Sequence, residues 1–433
     1  MKSLFLLDKS ALVLNKKERI LYFLLIIFFF SLYIPGMPWL YNFFIWLFFV
    51  YSFFFNSISE KWMLLRKRKE IIIMILFFLL NCLSALLSEN RKEGISLIGI
   101  RISLFIVPVA IGTLYIKNIL KERLVFGFAV ATTCATFFSL LWAIWHSAKY
   151  HDLSLLYNDN LSGIVNFQSI YFALLLNLAM FSFIYLLIKK SVLVNKKVLV
   201  PVLLILFVAH FLLASRIAII ILYSTIFIFA ILRIVYQKKI MEGIILIAGL
   251  CLTSFLLVKF FPKTVNRFEE LSYIKFDYSS TAKESHFNMQ LTADQWNGAN
   301  IRIAVWRCAW TVIKNNMALG TGLGDKMDEL KKQYEKKGFA FGIKTNRNTH
   351  NNYLDVWMSL GLTGLIIFLC GFFIFPLFRC IKFSDWYGLV IVICFMLSLF
   401  TENYMDRTIG NVLLAFFLSF VASYKKPEEI VSY

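Results

Sequence analysis

Acidic residues, cysteine motifs and metal-binding patterns are scarce in this chain of 433 residues. Asp and Glu together number 25, against 45 Lys and Arg, and charged residues make up only 16% of the sequence. None of the seven cysteines forms a Cys-x-x-Cys motif, and there is no Asp-x-Asp sequence. Such patterns are the usual marks of structural zinc and of carboxylate-bound metal ions. We therefore predict a protein that works without a bound metal or other cofactor.

Long apolar runs dominate the chain instead. Hydrophobic residues make up 60% of it, phenylalanine occurs 46 times, and the mean hydropathy is +0.73. A water-soluble core cannot absorb that much apolar surface, so an integral membrane protein is predicted. Because the runs are uninterrupted, we expect an all-α, polytopic helical bundle with about twelve spans of ~20 residues each. The predicted spans centre on Phe28, Trp46, Phe78, Leu104, Thr133, Asn177, Ile205, Ser224, Gly249, Ile367, Ile393 and Phe416.

Basic residues recur in every second connection between the predicted spans. They include residues 16–19, 66–69 and 117–123, and later Lys189, Lys238, Arg379 and Lys425. By the positive-inside rule these connections face the cytoplasm, and both termini lie there. The basic excess then reflects topology and contact with membrane lipids; nucleic-acid binding would require it on one folded face. We also expect no cleavable signal peptide, because the first apolar run is too short.

One polar segment, residues 262–349, interrupts this pattern between the ninth and tenth predicted spans. A connection this long inside a compact bundle is usually functional or disordered. Apolar residues recur at helical spacing over residues 301–313, and residues 326–337 predict a charged helix, whereas residues 279–300 show no periodicity. We expect residues 1–433 to form one membrane domain that carries this segment as a large extracytoplasmic loop with short helices.

His350 is the strongest candidate for a catalytic residue. Histidine has an unperturbed pKa of ~6.5, which suits general-base work at neutral pH. His350 begins a predicted helix and has Arg347, Asn351 and Asp355 near it in sequence. We expect Arg347 and Asn351 to contact substrate. The other histidines, which also map to the outer side, are more typical of solvated or packed boundary residues; they are His146, His151, His210 and His286.

Arginines near the predicted membrane boundary form a second group of candidates. Arg216 follows Ser215 at a tight turn between two apolar helices, and Arg302 lies on the amphipathic loop helix with Trp306. A guanidinium group binds phosphate oxygens in a bidentate manner and keeps its charge when partly desolvated. A snorkelling or helix-pairing arginine would give the same pattern. Arg101 lies inside a predicted span and should face a cavity, but its partner cannot be read from the sequence.

Two further features of the outer side favour structural roles. The glycine run at residues 320–324 has no βαβ unit around it and lacks the Lys-Ser/Thr of a P-loop. It predicts a tight turn that lets backbone approach the membrane surface or a ligand. Glu402 and Arg407 flank another outer turn, and we expect them to pair with each other.

In their order along the chain, these segments resemble the O-antigen ligase and polymerase family. The segments are Ser215-Arg216, Arg302 with Trp306 and Trp310, Gly320-x-Gly322-x-Gly324, His350-Asn351-x-Tyr353-Leu354 and Leu360-Gly361-Leu362-x-Gly364. Each is modest in specificity, but their order, spacing and placement on one face are together more specific. The resemblance covers residues 215–364; the amino-terminal half resembles the family only in hydropathy.

The resemblance implies a metal-independent glycosyltransferase of the bacterial inner membrane, with its active site on the periplasmic face. The donor would be a polyprenyl-diphosphate-linked glycan, and a hydroxyl of an acceptor glycan, on lipid A-core for a ligase, would attack the anomeric carbon. The family's arginines carry over to Arg216, beside Ser215, and to Arg302, as residues that bind the diphosphate. Its loop histidine carries over to His350, as general base or acceptor anchor. A diphosphate leaving group needs charge stabilisation, so arginines can replace the acid carboxylate of a glycoside hydrolase.

Three alternatives remain open at the level of the sequence: a polymerase, a transporter or flippase, and a structural or partner protein; a metal-dependent oligosaccharyltransferase is disfavoured. A polymerase of the same family would use the same donor but join it to another lipid-linked repeat unit, and the sequence does not separate the two. A flippase or transporter of lipid-linked glycans would favour broken helices and polar sites at the membrane midplane. A metal-dependent oligosaccharyltransferase would need acidic ligands in the first outer loop, and residues 35–38 contain none.

Overall fold

The computed structural model describes residues 14–285 and 295–424. In these ranges the chain is helical and forms no β-strand, which confirms the all-α prediction. Eight helices are long and apolar enough to cross a membrane, and two shorter apolar helices span Trp386–Ser398 and Thr408–Ser423. Every predicted span centre lies in a helix. The number of about twelve spans stays a prediction, because eight helices of the described residues meet the length and apolarity expected of a span.

Twelve helices precede the polar segment. They are α1 (Lys16–Ser31), α2 (Pro38–Phe55), α3 (Ile58–Lys67), α4 (Lys69–Leu87), α5 (Arg91–Arg101), α6 (Ser103–Ala110), α7 (Asn118–Tyr150), α8 (Asn158–Gly163), α9 (Ser169–Ile188), α10 (Lys196–Leu212), α11 (Arg216–Val235) and α12 (Ile240–Phe260). Local sequence sets several of their starts: Asn15 and Glu18 form a capping box at α1, and Pro38 occupies the first turn of α2. Helix α9 is buried along most of its length, against α7, α10, α11 and the later helix Trp386–Ser398.

Between α12 and the next long helix lies a group of short helices, which we call the loop layer. It comprises α13 (Pro262–Glu269), a 3₁₀ turn (Glu270–Ser272), α14 (Asn300–Asn315), α15 (Lys326–Lys336) and α16 (Ala340–Lys344). Helices α14 and α15 are the two predicted from residues 301–313 and 326–337. A separate hydrophobic cluster holds the layer together, with Trp296, Val305, Leu330 and Phe339 fully or almost fully buried.

The carboxy-terminal part returns to the bundle. It contains α17 (Asn352–Leu369), a π-helical turn (Cys370–Ile374), α18 (Phe375–Lys382), α19 (Trp386–Ser398), a 3₁₀ turn (Tyr404–Asp406) and α20 (Thr408–Ser423). Every residue of α20 from Gly410 to Ser423 is buried. This short helix therefore lies in the centre of the bundle, where α6 and α19 pack against it.

The helical conformation of α17 is interrupted at Gly361. The backbone of the glycine run at residues 320–324 packs against this interruption. Gly361 has φ 67° and ψ −172°, a backbone conformation that L side chains rarely adopt. The amide of Thr321 donates to the carbonyl of Met358 at 2.9 Å. A Cβ at Gly320 would lie 2.5 Å from the Gly361 nitrogen, and one at Gly361 would lie 2.2 Å from the Ala318 carbonyl oxygen. The close approach predicted for the glycine run is therefore made to another backbone.

Three buried charges, on Arg101, Lys326 and Asp355, and the partly buried carboxylate of Asp406 tie the loop layer to the bundle. The Nζ of Lys326 contacts both oxygens of Asp355 at 2.8 Å and Oδ1 of Asp406 at 2.6 Å. The Nη2 of Arg101 contacts the same two carboxylates at 3.2 and 3.4 Å, and its Nη1 donates to Asn81 at 2.6 Å. The charges balance, which is what makes burial of this charge cluster tolerable. The partners of Arg101, which the sequence did not reveal, come from α4, α17 and the turn before α20.

Candidate active site

One cavity of about 520 Å³ lies where three helices begin. The first residues of α9 and α11 line it, and so do Gly298 and Ala299 immediately before α14. A helix N-terminus carries partial positive charge, so three of them converge on one space. The cavity wall includes four of the predicted substrate-binding residues: Ser215, Arg216, Arg302 and Arg347. Their roles in binding stay predictions, but the fold brings all four together.

The turn between α10 and α11 places Arg216 in this cavity. Ala214 has φ 50°, a left-handed conformation that ends α10, and Ser215 then begins α11 without a side-chain cap. Arg216 therefore occupies the first helical position, and its side chain is only 13% exposed. Its Nη1 donates to the carbonyl of Arg267 at 2.8 Å and to Oε2 of Glu270 at 3.0 Å. The guanidinium group is thus fixed by α13 and the 3₁₀ turn after it.

Arg302 approaches the same point from α14. Its Nη1 donates to the carbonyl of Gly298, one turn earlier, and its Nη2 donates to the carbonyl of Thr401 at 3.2 Å. A Cβ at Gly298 would lie 2.8 Å from Nη2 of Arg216 and 3.2 Å from Nη1 of Arg302. The two guanidinium groups therefore flank this glycine. Burial lowers the pKa of the Arg302 guanidinium, and the charges of Arg267 and Arg347 add to the effect.

Arg267 is a fourth arginine of the cavity wall, and the sequence did not single it out. Within residues 14–285 and 295–424 its guanidinium group makes no ion pair or side-chain hydrogen bond. Arg302 likewise has no carboxylate within ion-pair distance there, whereas Arg216 pairs with Glu270 and Arg347 with Glu284. Two of the four guanidinium groups, Arg267 and Arg302, therefore have no described carboxylate within ion-pair distance, although the charge of Glu402 acts on Arg302 from farther away. No local pattern in α13 marks Arg267, because its importance comes from the meeting of distant segments.

His350 contacts the cavity through Glu402. Its Nδ1 lies 3.2 Å from Oε2 of Glu402, and the two side chains are 23% and 9% exposed. Glu402 lines the cavity, but His350 is not one of its lining residues. His350 therefore lies just behind the wall and is not in it. The predicted pairing of Glu402 with Arg407 is wrong, since Glu402 contacts His350 and Arg407 is exposed.

Glu402 carries a negative charge at this position. Burial raises the pKa of its carboxyl group, but the hydrogen bond from His350, the charge of Arg302 and the hydrogen bond from the backbone of Asn403 together lower it below its ordinary value. A carboxylate beside Nδ1 fixes the orientation of an imidazole and selects the tautomer with the proton on Nδ1. In that tautomer Nε2 is the acceptor. Among the described residues no hydrogen bond to Nε2 of His350 is found.

The backbone before α17 holds His350 in place. His350 has φ 43°, and its amide donates to Oδ1 of Asn348 at 3.1 Å. The Nδ2 of Asn348 donates in turn to Asp406 of the buried charge cluster at 3.2 Å. Trp306 of α14 donates to the carbonyl of Thr349 at 2.7 Å. The loop layer and the charge cluster therefore both position this segment.

Asn351 has a different task from the one predicted. Its Oδ1 accepts the amides of Tyr353 and Leu354 at 3.0 and 3.1 Å, so it caps the N-terminus of α17. The side chain is buried and does not line the cavity. We therefore leave Asn351 out of the binding residues proposed below.

The other three histidines that the structure describes do not line the cavity. His146 packs on Trp142, His151 ends α7 with φ 52°, and His210 is fully buried in α10. His286 lies outside the described residues. Among the residues that are described, no group of three His, Cys, Asp or Glu side chains gathers as a metal site. The prediction of a metal-independent reaction thus rests on the sequence.

Comparison with known families supplies the decisive observation. Residues 201–369 match the family model described as O-antigen ligase. The resemblance to the O-antigen ligase family is confirmed. The match covers less than half of the chain, and it includes Arg216, Arg267, Arg302, Arg347 and His350. A search of curated proteins gave no match.

Proposed function

We propose that this protein is a membrane glycosyltransferase of surface polysaccharide assembly. It transfers a glycan from polyprenyl diphosphate to a hydroxyl group of an acceptor sugar, as an O-antigen ligase does. The observation that carries the proposal is the pair of guanidinium groups without a carboxylate partner, Arg267 and Arg302, in a cavity where three helices begin. The match to the O-antigen ligase family supports the same class of reaction.

A diphosphate is the ligand that suits this wall. Arginine binds phosphate oxygens in a bidentate manner, and helix N-termini add partial positive charge and unpaired amides. The mutual repulsion of the four arginines is relieved when an anion enters, so the site is prepared for negative charge before the donor binds. The apolar part of the same wall, which includes Ile217, Ile220 and Leu271, suits the first isoprenoid units of the donor.

The transfer needs one base and one stabilised leaving group. The acceptor oxygen forms a bond to the anomeric carbon while the bond from that carbon to the diphosphate breaks. The electron pair leaves with the diphosphate, where Arg216, Arg267 and Arg302 stabilise it. The acceptor proton passes to Nε2 of His350, and Glu402 stabilises the resulting imidazolium.

The cavity is proposed to face away from the cytoplasm. Helices α9, α11 and α17 each begin at or near the cavity and lead towards basic connections at their other ends, at Lys189, Lys238 and, through α18, Lys382. Basic connections mark the cytoplasmic side. In a bacterial inner membrane the cavity would then open to the periplasm, where the lipid-linked donor and lipid A-core are assembled into the finished surface glycan.

The proposal is tested with purified enzyme in detergent and a lipid-linked glycan donor. Arg216→Lys and Arg302→Lys should each lower kcat/KM about tenfold or more, because a charge-assisted hydrogen bond of ~1.5 kcal/mol is lost and lysine does not reproduce the guanidinium fork. The matched control is Arg307→Lys, which changes an exposed arginine of α14 that packs on Phe276. Equal activity in all three variants would overturn the diphosphate site.

The role of His350 needs two substitutions. Loss of a general base costs about 10²–10⁴-fold in rate, so His350→Ala and His350→Gln should both lose turnover while donor binding is kept. Near-normal turnover in both variants would remove His350 from the mechanism. Turnover kept only by glutamine would assign it to acceptor positioning. Supplying either lipid A-core or a second lipid-linked repeat unit as acceptor separates the ligase from the polymerase.

A further inference from the structure

One part of the cavity lining contains no arginine and is chemically different. It is formed by Asn158 and Asp159 of α8, by Gln168 and by Ser169 of α9. We propose that this wall, the α8–α9 wall, is a saccharide-binding subsite that recognises hydroxyl groups of the sugar next to the reacting bond. The inference rests on the proposed function and adds to it the part of the cavity that selects the glycan.

Hydrogen bonds hold the α8–α9 wall in a fixed shape. Asp159 accepts the amide of Ser169 through Oδ1 at 2.7 Å, and Asn158 accepts the hydroxyl of Ser169 through Oδ1 at 2.7 Å. Asn158 has φ 54°, a left-handed conformation that asparagine tolerates better than most residues. These contacts join the start of α9 to α8. A wall that is already fixed before the ligand arrives loses little conformational entropy on binding.

The same residues keep unused hydrogen-bonding groups. The contacts above use only Oδ1 of Asn158 and Oδ1 of Asp159, which leaves an amide donor and a carboxylate oxygen. The carboxamide of Gln168 makes no hydrogen bond with the residues that the structure describes, and it lines the cavity. Together these groups offer both donors and acceptors to a ligand.

This combination suits a sugar better than a second phosphate. A sugar hydroxyl both donates and accepts, so it can pair with a carboxamide and a carboxylate at once. The Asp159 carboxylate would repel a phosphate, which the arginines of the same cavity already attract. The volume of about 520 Å³ is in the range of small-molecule sites, which leaves room for more than a diphosphate.

The position of the wall also separates selection from chemistry. Asn158, Asp159, Gln168 and Ser169 precede residues 201–369, the part that matches the O-antigen ligase family. The arginines and His350 lie inside that part. The matched residues would then bind the diphosphate and supply the base. Residues that precede them in the chain would recognise the sugar.

Two substitutions test the subsite without disturbing its frame. Gln168→Ala removes a carboxamide with no role in the fold, and Asp159→Asn removes the charge but keeps an Oδ1 that can accept the Ser169 amide. The control is Asn160→Ala, on the same short helix, whose side chain donates to Ser154 and lines a different pocket. A melting temperature equal to that of the wild type shows that a variant keeps the hydrogen bonds between α8 and α9.

Binding of the free repeat-unit oligosaccharide, prepared from the host strain's own surface glycan, is measured by calorimetry for each protein. Gln168→Ala and Asp159→Asn should each weaken binding about tenfold, the effect of one lost hydrogen bond to a ligand, while Asn160→Ala leaves it unchanged. Unchanged binding in both wall variants, or no binding of the oligosaccharide to the wild type at saturating concentration, overturns the subsite.

Kinetics then assign the sugar to donor or acceptor. A higher KM for the lipid-linked donor, at constant acceptor KM, places the donor sugar on the α8–α9 wall; the reverse places the acceptor there. The two proposals fail separately. Oligosaccharide binding that depends on Gln168, in a wild type that transfers no glycan, would retain the subsite and reject the glycosyltransferase. Normal glycan transfer, together with wall variants that bind the oligosaccharide as the wild type does, would retain the glycosyltransferase and reject the subsite.

Discussion

Replacing Lys326 with methionine should destabilise the fold strongly, because the buried charge cluster would then carry a net negative charge. The Lys326 ammonium group is 1% exposed and makes three contacts of 2.6–2.8 Å with Asp355 and Asp406. After its removal only Arg101 remains to oppose two carboxylates, at the longer distances of 3.2 and 3.4 Å. Removing one partner of a buried ion pair costs about 3–5 kcal/mol, and we expect Lys326→Met to fall in that range.

The magnitude is measured as the free energy of unfolding in detergent micelles, by denaturant titration of purified protein. The matched control lies on the same helix. Lys332 pairs with Glu329 at 2.6 Å, but the two side chains are 60% and 33% exposed, so Lys332→Met should leave stability unchanged.

A double variant separates charge from packing. Lys326→Met with Asp406→Asn restores a neutral cluster, so its cost should be smaller than the sum of the two single costs. If Lys326→Met is no more destabilising than Lys332→Met, or if the double variant shows simple additivity, the cluster does not act as a balanced unit and the reasoning is refuted.

Three further predictions concern single positions. Gly361→Ala should lower the yield of folded protein, because its Cβ would meet the Ala318 carbonyl, whereas Gly249→Ala adds a methyl to open space and should be neutral; size-exclusion profiles in detergent compare them. Glu402→Gln should lower kcat about 10²-fold or more with donor KM unchanged, since the charge beside His350 is lost, and normal kcat would contradict this. Burial raises the pKa of the Asp406 carboxyl, but neighbouring cations outweigh it and hold that pKa below its ordinary value. Asp406 therefore adds stability above its unfolded pKa of ~3.9 that is lost as the pH falls through the folded pKa, and Asp406→Asn should flatten this acid-side loss in melting curves.

Features encoded by short stretches of sequence could be predicted. The helical spacing at residues 301–313 and the charge pattern at residues 326–337 predicted α14 and α15, because each signal is complete within a few turns. The tight turn at Ser215-Arg216 was likewise readable between two apolar runs. Asn351 could have been recognised as a helix cap, since an asparagine directly before an apolar-periodic segment is a common N-cap.

Features that depend on distant segments could not be predicted. Arg101 and Asp355 are 254 positions apart, and Arg216 and Glu270 are 54 apart. No single stretch of sequence contains both members of either pair. Arg267 was missed for the same reason, because its lack of a counter-ion exists only in the folded cavity. The position of His350 behind Glu402 also follows from packing between the loop layer and the turn before α20.

The break in α17 has a consequence for how such proteins can be recombined. Because the glycine run around Gly320 supplies the amide that the carbonyl of Met358 needs, the loop layer cannot be exchanged as a module on an intact bundle. In a chimera that imports only the loop layer, the foreign glycine run does not fit the break in α17. One that imports residues 317–322 and 358–363 together keeps both sides of the joint. Transplantation of a different glycan specificity is therefore expected to succeed through the α8–α9 wall, which lies outside this joint.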